Sequence, residues 1–436
     1  MIQSQNDTIK SDFFQLASLT AAIWTVLTLG LHLWPFENSR MLETLAPVNL
    51  GIMLWVPLAA ITVVVSRPRR RLLWEHLPDV SIWAFLAIAA MSLAFSPHFS
   101  QSAVSLIKLM LMYVGGFVLF SLVCSWEGWA DRLCTMALVS VWITMAVSVA
   151  WRILGYEGLG FFANPHKYGT VTAILFTLGC IHLASRTSVI AWLVVPLTAL
   201  ATVASVSLAG ICGIIAGLLA GILVIRHPLS RLRLSICLLT AIAILAILWQ
   251  SQFFSPLRGD VQIMESNGRD LRQRYIEWQA QLNLLQDRPV TGTGLGCVNE
   301  YRSMFYGRLP KLNTLQPFDH NGWLLIAAET GIFGLVTFVW MIVRAFKKAW
   351  KSSRTIGPQT FIASAAFAAL VTACVANTFS FLNYNGVVGA FVLVLALAHH
   401  AGPIRPSNHS IVPDNIETVI SCRSTPQLAE KQEGNG

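Results

Sequence analysis

The stretch PFDHNGWLLIAAETGIFGLV, residues 317–336, joins an apolar run to two titratable side chains. His320 stands where the run begins, and Glu329 follows nine residues later, inside it. The run stays apolar as far as Arg344, which is long enough for a helix that crosses a bilayer. An ionisable group inside such a helix is costly and usually faces a polar cavity or a partner. The stretch therefore predicts a membrane helix with polar chemistry at its entrance.

The composition of the whole chain indicates a membrane protein with many spans. Of its 436 residues, 55% are hydrophobic and only 12% are charged, which lies outside the usual balance of a soluble domain. The net charge of +9 comes from short Lys and Arg clusters between apolar runs, a pattern that orients membrane segments and gives no reason to expect a nucleic-acid partner. The eight cysteines are widely spaced, so neither a disulfide framework nor a CxxC metal site is predicted.

The apolar runs predict an all-α polytopic membrane protein with about twelve transmembrane helices. The spans are placed at 13–34, 47–66, 79–95, 103–124, 133–154, 169–185, 188–205, 207–226, 232–250, 319–343, 358–378 and 386–401. The predicted organisation is a cytoplasmic N-terminus (1–12), helices 1–9 (13–250), a large extracytoplasmic loop (251–318), helices 10–12 (319–401) and a disordered cytoplasmic tail (402–436).

The positive charges orient these spans. With a cytoplasmic N-terminus, most basic clusters fall on the cytoplasmic side, among them RPRRR at 67–71 and RAFKKAWKSSR at 344–354. Segment 251–318 is the exception on the outer side, and loops of that length escape the rule. Its positive residues are Arg258, Arg269, Arg272, Arg274, Arg288, Arg302, Arg308 and Lys311. They predict an anionic ligand such as a phosphate or pyrophosphate headgroup, with a solvated basic loop as the alternative.

An amphipathic helix is predicted within this segment, from Asn267 to Asp287. Its apolar face, expected against the membrane interface or the helix bundle, consists of Leu271, Tyr275, Trp278, Leu282 and Leu285. Arg269, Arg272 and Arg274 cluster at its start, where free backbone N–H groups also favour an anion. The alternative for Arg274 is an ion pair with Asp270 or Glu277 one turn away. The following PVTGTGLG has three alternate glycines, which permit a tight loop of close backbone approach.

A shorter outer segment, WRILGYEGLGFFANPHKYG at 151–169, adds further polar candidates to the same site. These are Arg152, Asn164, His166 and Lys167. Asn164 precedes a proline, so an ordinary turn residue is the alternative explanation for it.

His320 is the histidine that lies beside the basic segment at a helix entrance. Because histidine titrates near neutral pH, it can take a proton from an attacking hydroxyl group. A hydrogen-bonded structural histidine is the alternative. Glu329, at about 100° per residue, falls on the helix face opposite His320, so we expect it to pair with another span or to line a separate wall of the cavity.

Two motifs together carry a resemblance to a known family. HNGWLLIAAETGIFG fits H-N-x(2)-L-x(4)-E-x-G-x(2)-G, and RYIEWQAQLNLLQDRPVTGTGLG lies upstream of it. Over roughly residues 150–345 the chain resembles the O-antigen ligase and polysaccharide polymerase superfamily of bacterial surface-glycan enzymes. The resemblance implies a metal-independent, GT-C type membrane glycosyltransferase without a cofactor. Its donor would be a glycan on undecaprenyl pyrophosphate, and its acceptor a second glycan or a lipid A core.

The resemblance also implies roles for single residues. His320 looks like the base that activates the acceptor hydroxyl, and Arg274 with Arg269 or another loop arginine looks like the holder of the pyrophosphate. The resemblance also favours Arg152 and Asn164 as residues that contact the substrate. Arg258, Lys167, Asn321 and Glu329 complete the predicted substrate-binding set.

The expected location is the bacterial inner membrane, among membrane lipids and envelope-assembly proteins, with the active site on the periplasmic side and both termini in the cytoplasm. Two other classes of function compete with this interpretation. One is a transporter or flippase of envelope glycolipids, in which charges near the midplane line the path. The other is an inactive scaffold, which would tolerate loss of His320 and Arg274.

Overall fold

The computed structural model describes nine parts of the chain. They are residues 76–125, 128–153, 165–184, 208–250, 268–301, 304, 320–355, 359–379 and 387–400. The predicted spans at 13–34, 47–66 and 188–205 lie outside the described residues. The same holds for the N-terminus and the tail at 402–436.

Every long regular element in the described ranges is an α-helix, and each predicted span within these ranges coincides with one. The helices are α1 (Val80–Leu93), α2 (Phe99–Met110), α3 (Phe117–Cys124), α4 (Trp129–Ile153), α5 (Pro165–Ala184), α6 (Leu208–Val224), α7 (Pro228–Gln250), α8 (Gly268–Asp287), α9 (Gly322–Ser353), α10 (Gln359–Asn377) and α11 (Val387–His400). A π-helical turn, Leu111–Gly116, joins α2 to α3, and a short 3₁₀ turn spans Val298–Tyr301.

Three of the described helices are long and apolar enough to cross a membrane: Phe99–Cys124, Gly322–Ser353 and Gln359–Asn377. Four shorter helical stretches are also apolar, namely Val80–Leu93, Gly169–Ala184, Ala209–Val224 and Val387–His400. The all-helical class is therefore confirmed for the described residues, with helices that can cross a membrane, whereas the number of twelve spans and the extracytoplasmic loop stay predictions.

Helix α10 lies at the centre of the bundle, where it packs against α5, α6 and α9. Small side chains let these backbones approach closely, which is how apolar helices associate in a membrane. At Gly217 of α6, an added Cβ would collide with Thr372 of α10. Thr372 also donates a hydrogen bond to Thr177 of α5 at 3.0 Å, so one buried polar pair joins two of these helices.

Helix α9 is tied to α1 at the end that is predicted to be cytoplasmic. Arg344 Nε and Lys348 Nζ each lie 2.9 Å from a carboxylate oxygen of Asp79, which also caps the start of α1. Burial opposes ionisation of Asp79, but the His399 ring 3.7 Å away and hydrogen bonds from Lys348 and Ser81 outweigh it and hold the pKa of Asp79 well below its usual range. This charged cluster fixes the alignment of α1 with α9.

Candidate functional site

Helix α9 is broken at Gly331, where the backbone adopts φ 72° and ψ −178°. The helix continues after the break through residues 332–353, but its apolar part ends before Arg344, so residues 332–343 rise only about 18 Å. Because the hydrocarbon core is roughly 30 Å thick, the part before the break, residues 322–330, belongs to the same predicted membrane crossing. We call this part, which follows His320 and contains Glu329, the outer arm of α9.

The glycine loop, defined as residues 289–297, closes the break in α9. The amides of Thr293 and Gly294 donate to the carbonyl oxygens of Ala328 and Glu329 at 2.9 and 3.0 Å, and Ile332 donates to the Pro289 carbonyl at 2.8 Å. These bonds replace helical hydrogen bonds that the break removes, as buried backbone groups require.

The alternate glycines of this loop all have positive φ, which confirms the predicted close approach: Gly292 at 62°, Gly294 at 91° and Gly296 at 70°. A Cβ at Gly292 would collide with the Glu329 carbonyl group, and a Cβ at Gly331 would collide with the Val290 carbonyl oxygen. Both positions therefore require glycine for conformation and for space.

The other side of the glycine loop docks on the corner between α1 and α2. Ser102 Oγ donates to the Leu295 carbonyl at 3.0 Å, and Gln101 Nε2 donates to the Gly296 carbonyl at 2.8 Å. The sulfur atom of the fully buried Cys297 lies 3.1 Å from Ser102 Oγ. The loop thus bridges the broken helix and the neighbouring helical corner.

Glu329 is buried and its carboxylate holds the glycine loop. Its Oε1 accepts a hydrogen bond from the Gly296 amide at 3.0 Å. The residue stands two positions before the break, so side chain and carbonyl oxygen both bind the same loop. This geometry favours a structural role, and its predicted contact with substrate stays a prediction.

Helix α8 packs against α9 and buries three of its polar side chains. Arg274, Glu277 and Gln281 are 7%, 0% and 1% exposed, whereas Tyr275 and Leu282 are 58% and 43% exposed. The polar stripe thus faces the protein, and part of the predicted apolar face points away from it. Of the two placements expected for that face, this one favours the membrane interface over the helix bundle.

His320 meets this polar stripe at Glu277. Its Nδ1 lies 2.6 Å from Glu277 Oε2, and the two side chains are 15% and 0% exposed. When Glu277 is ionised, Nδ1–H donates to it, which leaves Nε2 with the lone pair that a general base needs. Arg274 stands three residues before Glu277, the spacing at which side chains on a helix are neighbours.

Asn321, next to His320, begins α9. Its Oδ1 accepts hydrogen bonds from the amides of Trp323 and Leu324, each at 3.1 Å. This N-cap fixes the entry of the chain into the helix and so the position of the preceding His320.

The remaining predicted site residues are described only in part. Arg269 lies in α8, Arg152 in α4 and Lys167 in α5, but their side chains are outside the described set. Arg258 and Asn164 lie entirely outside it. The structure thus joins His320 to the stripe that carries Arg274, and the other contacts stay predictions.

The part of the chain that contains these features is similar to a known protein family. Residues 192–339 match the O-antigen ligase family. The match covers about a third of the chain and includes α8, the glycine loop, His320 and the outer arm of α9. It confirms the resemblance to the O-antigen ligase and polymerase superfamily. No curated protein matches the sequence significantly.

The O-antigen ligase match supports a ligase-like or polymerase-like function that acts on lipid-linked glycans and their acceptors. Together with the apolar helices, it indicates a membrane protein.

Sequence reasoning missed Glu277 as the partner of His320. Glu277 was considered only as an ion-pair partner of Arg274, one turn away. Its Oε2 instead contacts a histidine 43 residues later, and no hydrogen bond to its Oε1 is present in the described parts of the chain. No local signal in the sequence marks this contact, because it joins residues that are 43 positions apart.

Proposed function

We propose that the protein is an extracytoplasmic glycosyltransferase that moves a glycan from an undecaprenyl-pyrophosphate donor to a hydroxyl group of a second glycan. The observation that carries this proposal is the 2.6 Å contact of His320 with Glu277, one helical turn from Arg274. A base held by a carboxylate beside a buried arginine suits the transfer of a group from a pyrophosphate. The family match and the apolar helices support the same conclusion.

In the proposed step the acceptor hydroxyl oxygen attacks the anomeric carbon of the donor glycan and forms the new glycosidic bond. His320 Nε2 takes the hydroxyl proton. The bond from the anomeric carbon to the pyrophosphate oxygen breaks, and its electron pair leaves with undecaprenyl pyrophosphate. The imidazolium then returns its proton to water.

The leaving pyrophosphate needs positive charge near its oxygens. Arg274 supplies it, together with Arg269 or another arginine of segment 251–318, because a guanidinium group binds phosphate oxygens in a bidentate fashion. Arginines placed in this way stabilise the charge that develops on the leaving group, so the protein itself provides electrostatic catalysis. Arg258, Arg152, Asn164, Lys167 and Asn321 are proposed as further substrate contacts.

The reaction is proposed to take place at the periplasmic side of a bacterial inner membrane, with both termini in the cytoplasm. The product distinguishes the two members of the class. A lengthened lipid-linked chain identifies a polymerase, and a modified lipid A core identifies a ligase.

The test uses the full-length protein in nanodiscs with undecaprenyl-pyrophosphate-linked glycan and each acceptor in turn. Wild-type protein is expected to release undecaprenyl pyrophosphate and to form one of the two products. His320→Ala is expected to lower the rate by about 10²–10⁴-fold, the usual range for loss of a general base. The control is His98→Ala, because His98 is exposed at the start of α2.

Two outcomes would reject the proposal. Normal glycan transfer by His320→Ala at matched protein levels would show that His320 is not the general base. Glycolipid movement across proteoliposomes without any product would instead identify a flippase.

A further inference from the structure

The side-chain amide of Gln281 in α8 is buried without hydrogen-bond partners in the described residues. It is 1% exposed, and neither its Oε1 nor its Nε2 has a hydrogen-bond partner in the described part of the chain. Burying an amide without partners is costly, and nearly all buried polar groups in folded proteins are paired. A side chain of this kind is explained when a ligand supplies the missing hydrogen bonds.

The position of Gln281 connects it to the proposed reaction site. It stands four residues after Glu277 and seven after Arg274, so the three side chains share one face of the helix. The stripe from Arg274 to Gln281 is about 10 Å long at 1.5 Å per residue. Along it a cation, a carboxylate and a neutral amide follow one another, with His320 held at the middle by Glu277.

Two further unpaired atoms lie next to Gln281. Glu277 Oε1 and the indole N–H of Trp278 are both buried, and neither has a partner within the described ranges. Unpaired donors and acceptors thus occur together on one turn of α8. This grouping points to a ligand that carries several groups of both kinds.

We propose that Gln281 binds a hydroxyl group of the glycan, in a sugar subsite beside the pyrophosphate-binding Arg274. This inference rests on the proposed function and adds the residue that contacts sugar. A hydroxyl both donates and accepts, so it satisfies the amide oxygen and the amide N–H together. A phosphate only accepts, so it would leave Oε1 unpaired.

The test compares Gln281→Leu and Gln281→Met with the wild-type protein in nanodiscs. Both variants keep the bulk of the side chain and remove its hydrogen-bonding groups. The control is Gln279→Leu, because Gln279 is on the same helix and its amide donates to Tyr275 Oη at 2.9 Å on the exposed side. The measurements are Tm, the KM for donor and for acceptor, and binding of two probes: undecaprenyl-pyrophosphate-linked glycan and sugar-free undecaprenyl pyrophosphate.

We expect the Gln281 variants to raise the KM for one glycan substrate by about 10-fold, as loss of a buried hydrogen bond to ligand does. A higher KM for donor assigns the hydroxyl to the transferred glycan, and a higher KM for acceptor assigns it to the receiving glycan. Binding of the sugar-free lipid should be unchanged, and Tm should not fall because no internal hydrogen bond is lost. Gln279→Leu should leave both KM values unchanged.

Three outcomes would overturn the inference. They are unchanged KM values for both substrates, an equal loss of affinity for the sugar-free lipid, and a Tm decrease that accounts for the lost activity. If wild-type protein transfers no glycan at all, the proposed function fails. If wild-type protein is active and the Gln281 variants keep their KM values, only the sugar subsite fails.

Discussion

Glu277 Oε2 lies 2.6 Å from His320 Nδ1, although the two residues are 43 positions apart in the chain. Glu277 is fully buried and reaches His320 from α8, while His320 stands just before α9. A carboxylate in this position fixes the imidazole orientation and stabilises the imidazolium that forms when it takes a proton. It therefore acts as a positioning residue for the proposed base.

Replacement of Glu277 by Gln is expected to lower kcat by about 10²–10⁴-fold with little change in KM, because the wrong histidine tautomer becomes available. Glu277→Asp should recover part of the rate, since it restores the charge. Tm and kcat are measured together on the purified variants. A loss of activity that merely follows a lower Tm would indicate a structural role instead.

Replacement of Arg274 by Gln is expected to reduce transfer by about 10²–10³-fold, because the positive charge that stabilises the leaving pyrophosphate is lost. Arg274→Lys should fall between this variant and wild type, since an ammonium group keeps the charge without the bidentate geometry. The matched control is Arg354→Gln, because Arg354 lies outside segment 251–318 and its guanidinium stands 4.1 Å over the Trp350 ring. Wild-type kcat in Arg274→Gln would exclude the residue from the reaction.

Glu329→Gln is expected to keep both Tm and activity, since its side-chain oxygen can still accept from the Gly296 amide. Glu329→Ala leaves that amide without its partner and should cost about 1–3 kcal/mol of stability. Thermal unfolding in detergent and the transfer rate together distinguish a structural role of Glu329 from a role in substrate binding. If Glu329→Gln is inactive at normal Tm, the carboxylate takes part in substrate binding, as the sequence predicts.

Gly292→Ala is expected to destabilise the protein by more than the roughly 1–2 kcal/mol that positive φ alone costs, because the new Cβ meets the Glu329 backbone. Gly128→Ala is the control, with φ 74° and no atom within 4 Å of its added Cβ. Both are compared with wild type by Tm and by yield in the membrane. Equal Tm values for the two variants would contradict the tight docking of the glycine loop.

Asp79→Asn is expected to cost about 1–2 kcal/mol, less than a fully buried ion pair, because the side chains of Arg344 and Lys348 are 37% and 40% exposed. Since the pKa of Asp79 is lowered by folding, its contribution is complete above the ordinary value of 3.8 and is lost as the pH falls below it. The Tm difference between wild type and Asp79→Asn should thus be constant from neutral pH to about pH 5. A difference that already shrinks between pH 7 and 5 would contradict this assignment.

The positions of the helices could be predicted from the sequence, because a run of about 20 apolar residues forms few other structures in a membrane. His320 could also be predicted for a local reason, because it stands at the boundary of an apolar run, and the loop glycines because they alternate directly after a predicted helix. The break at Gly331 was not predicted. A single glycine within a helical pattern is usually tolerated, and the hydrogen bonds that fill the break come from the distant glycine loop.

The buried stripe on α8 shows why the rest of the site was harder to predict. Periodicity grouped Tyr275 and Leu282 on one apolar face and left that face for either the interface or the bundle. In the structure these two side chains are exposed, and the buried face carries the polar stripe together with a different apolar set, Ile276, Ala280 and Leu284. Local spacing also offered Glu277 a partner in Arg274, and only the tertiary structure reveals the histidine.

The discontinuity at Gly331 separates the outer arm of α9, which follows His320, from the longer part of the helix. A bilayer of different thickness changes the tilt of a spanning helix by hydrophobic mismatch. In a straight helix that rotation would be transmitted to His320. Hydrogen bonds from the glycine loop hold the outer arm at the break, so we expect the position of the proposed base to depend less on lipid thickness than it would in a straight helix.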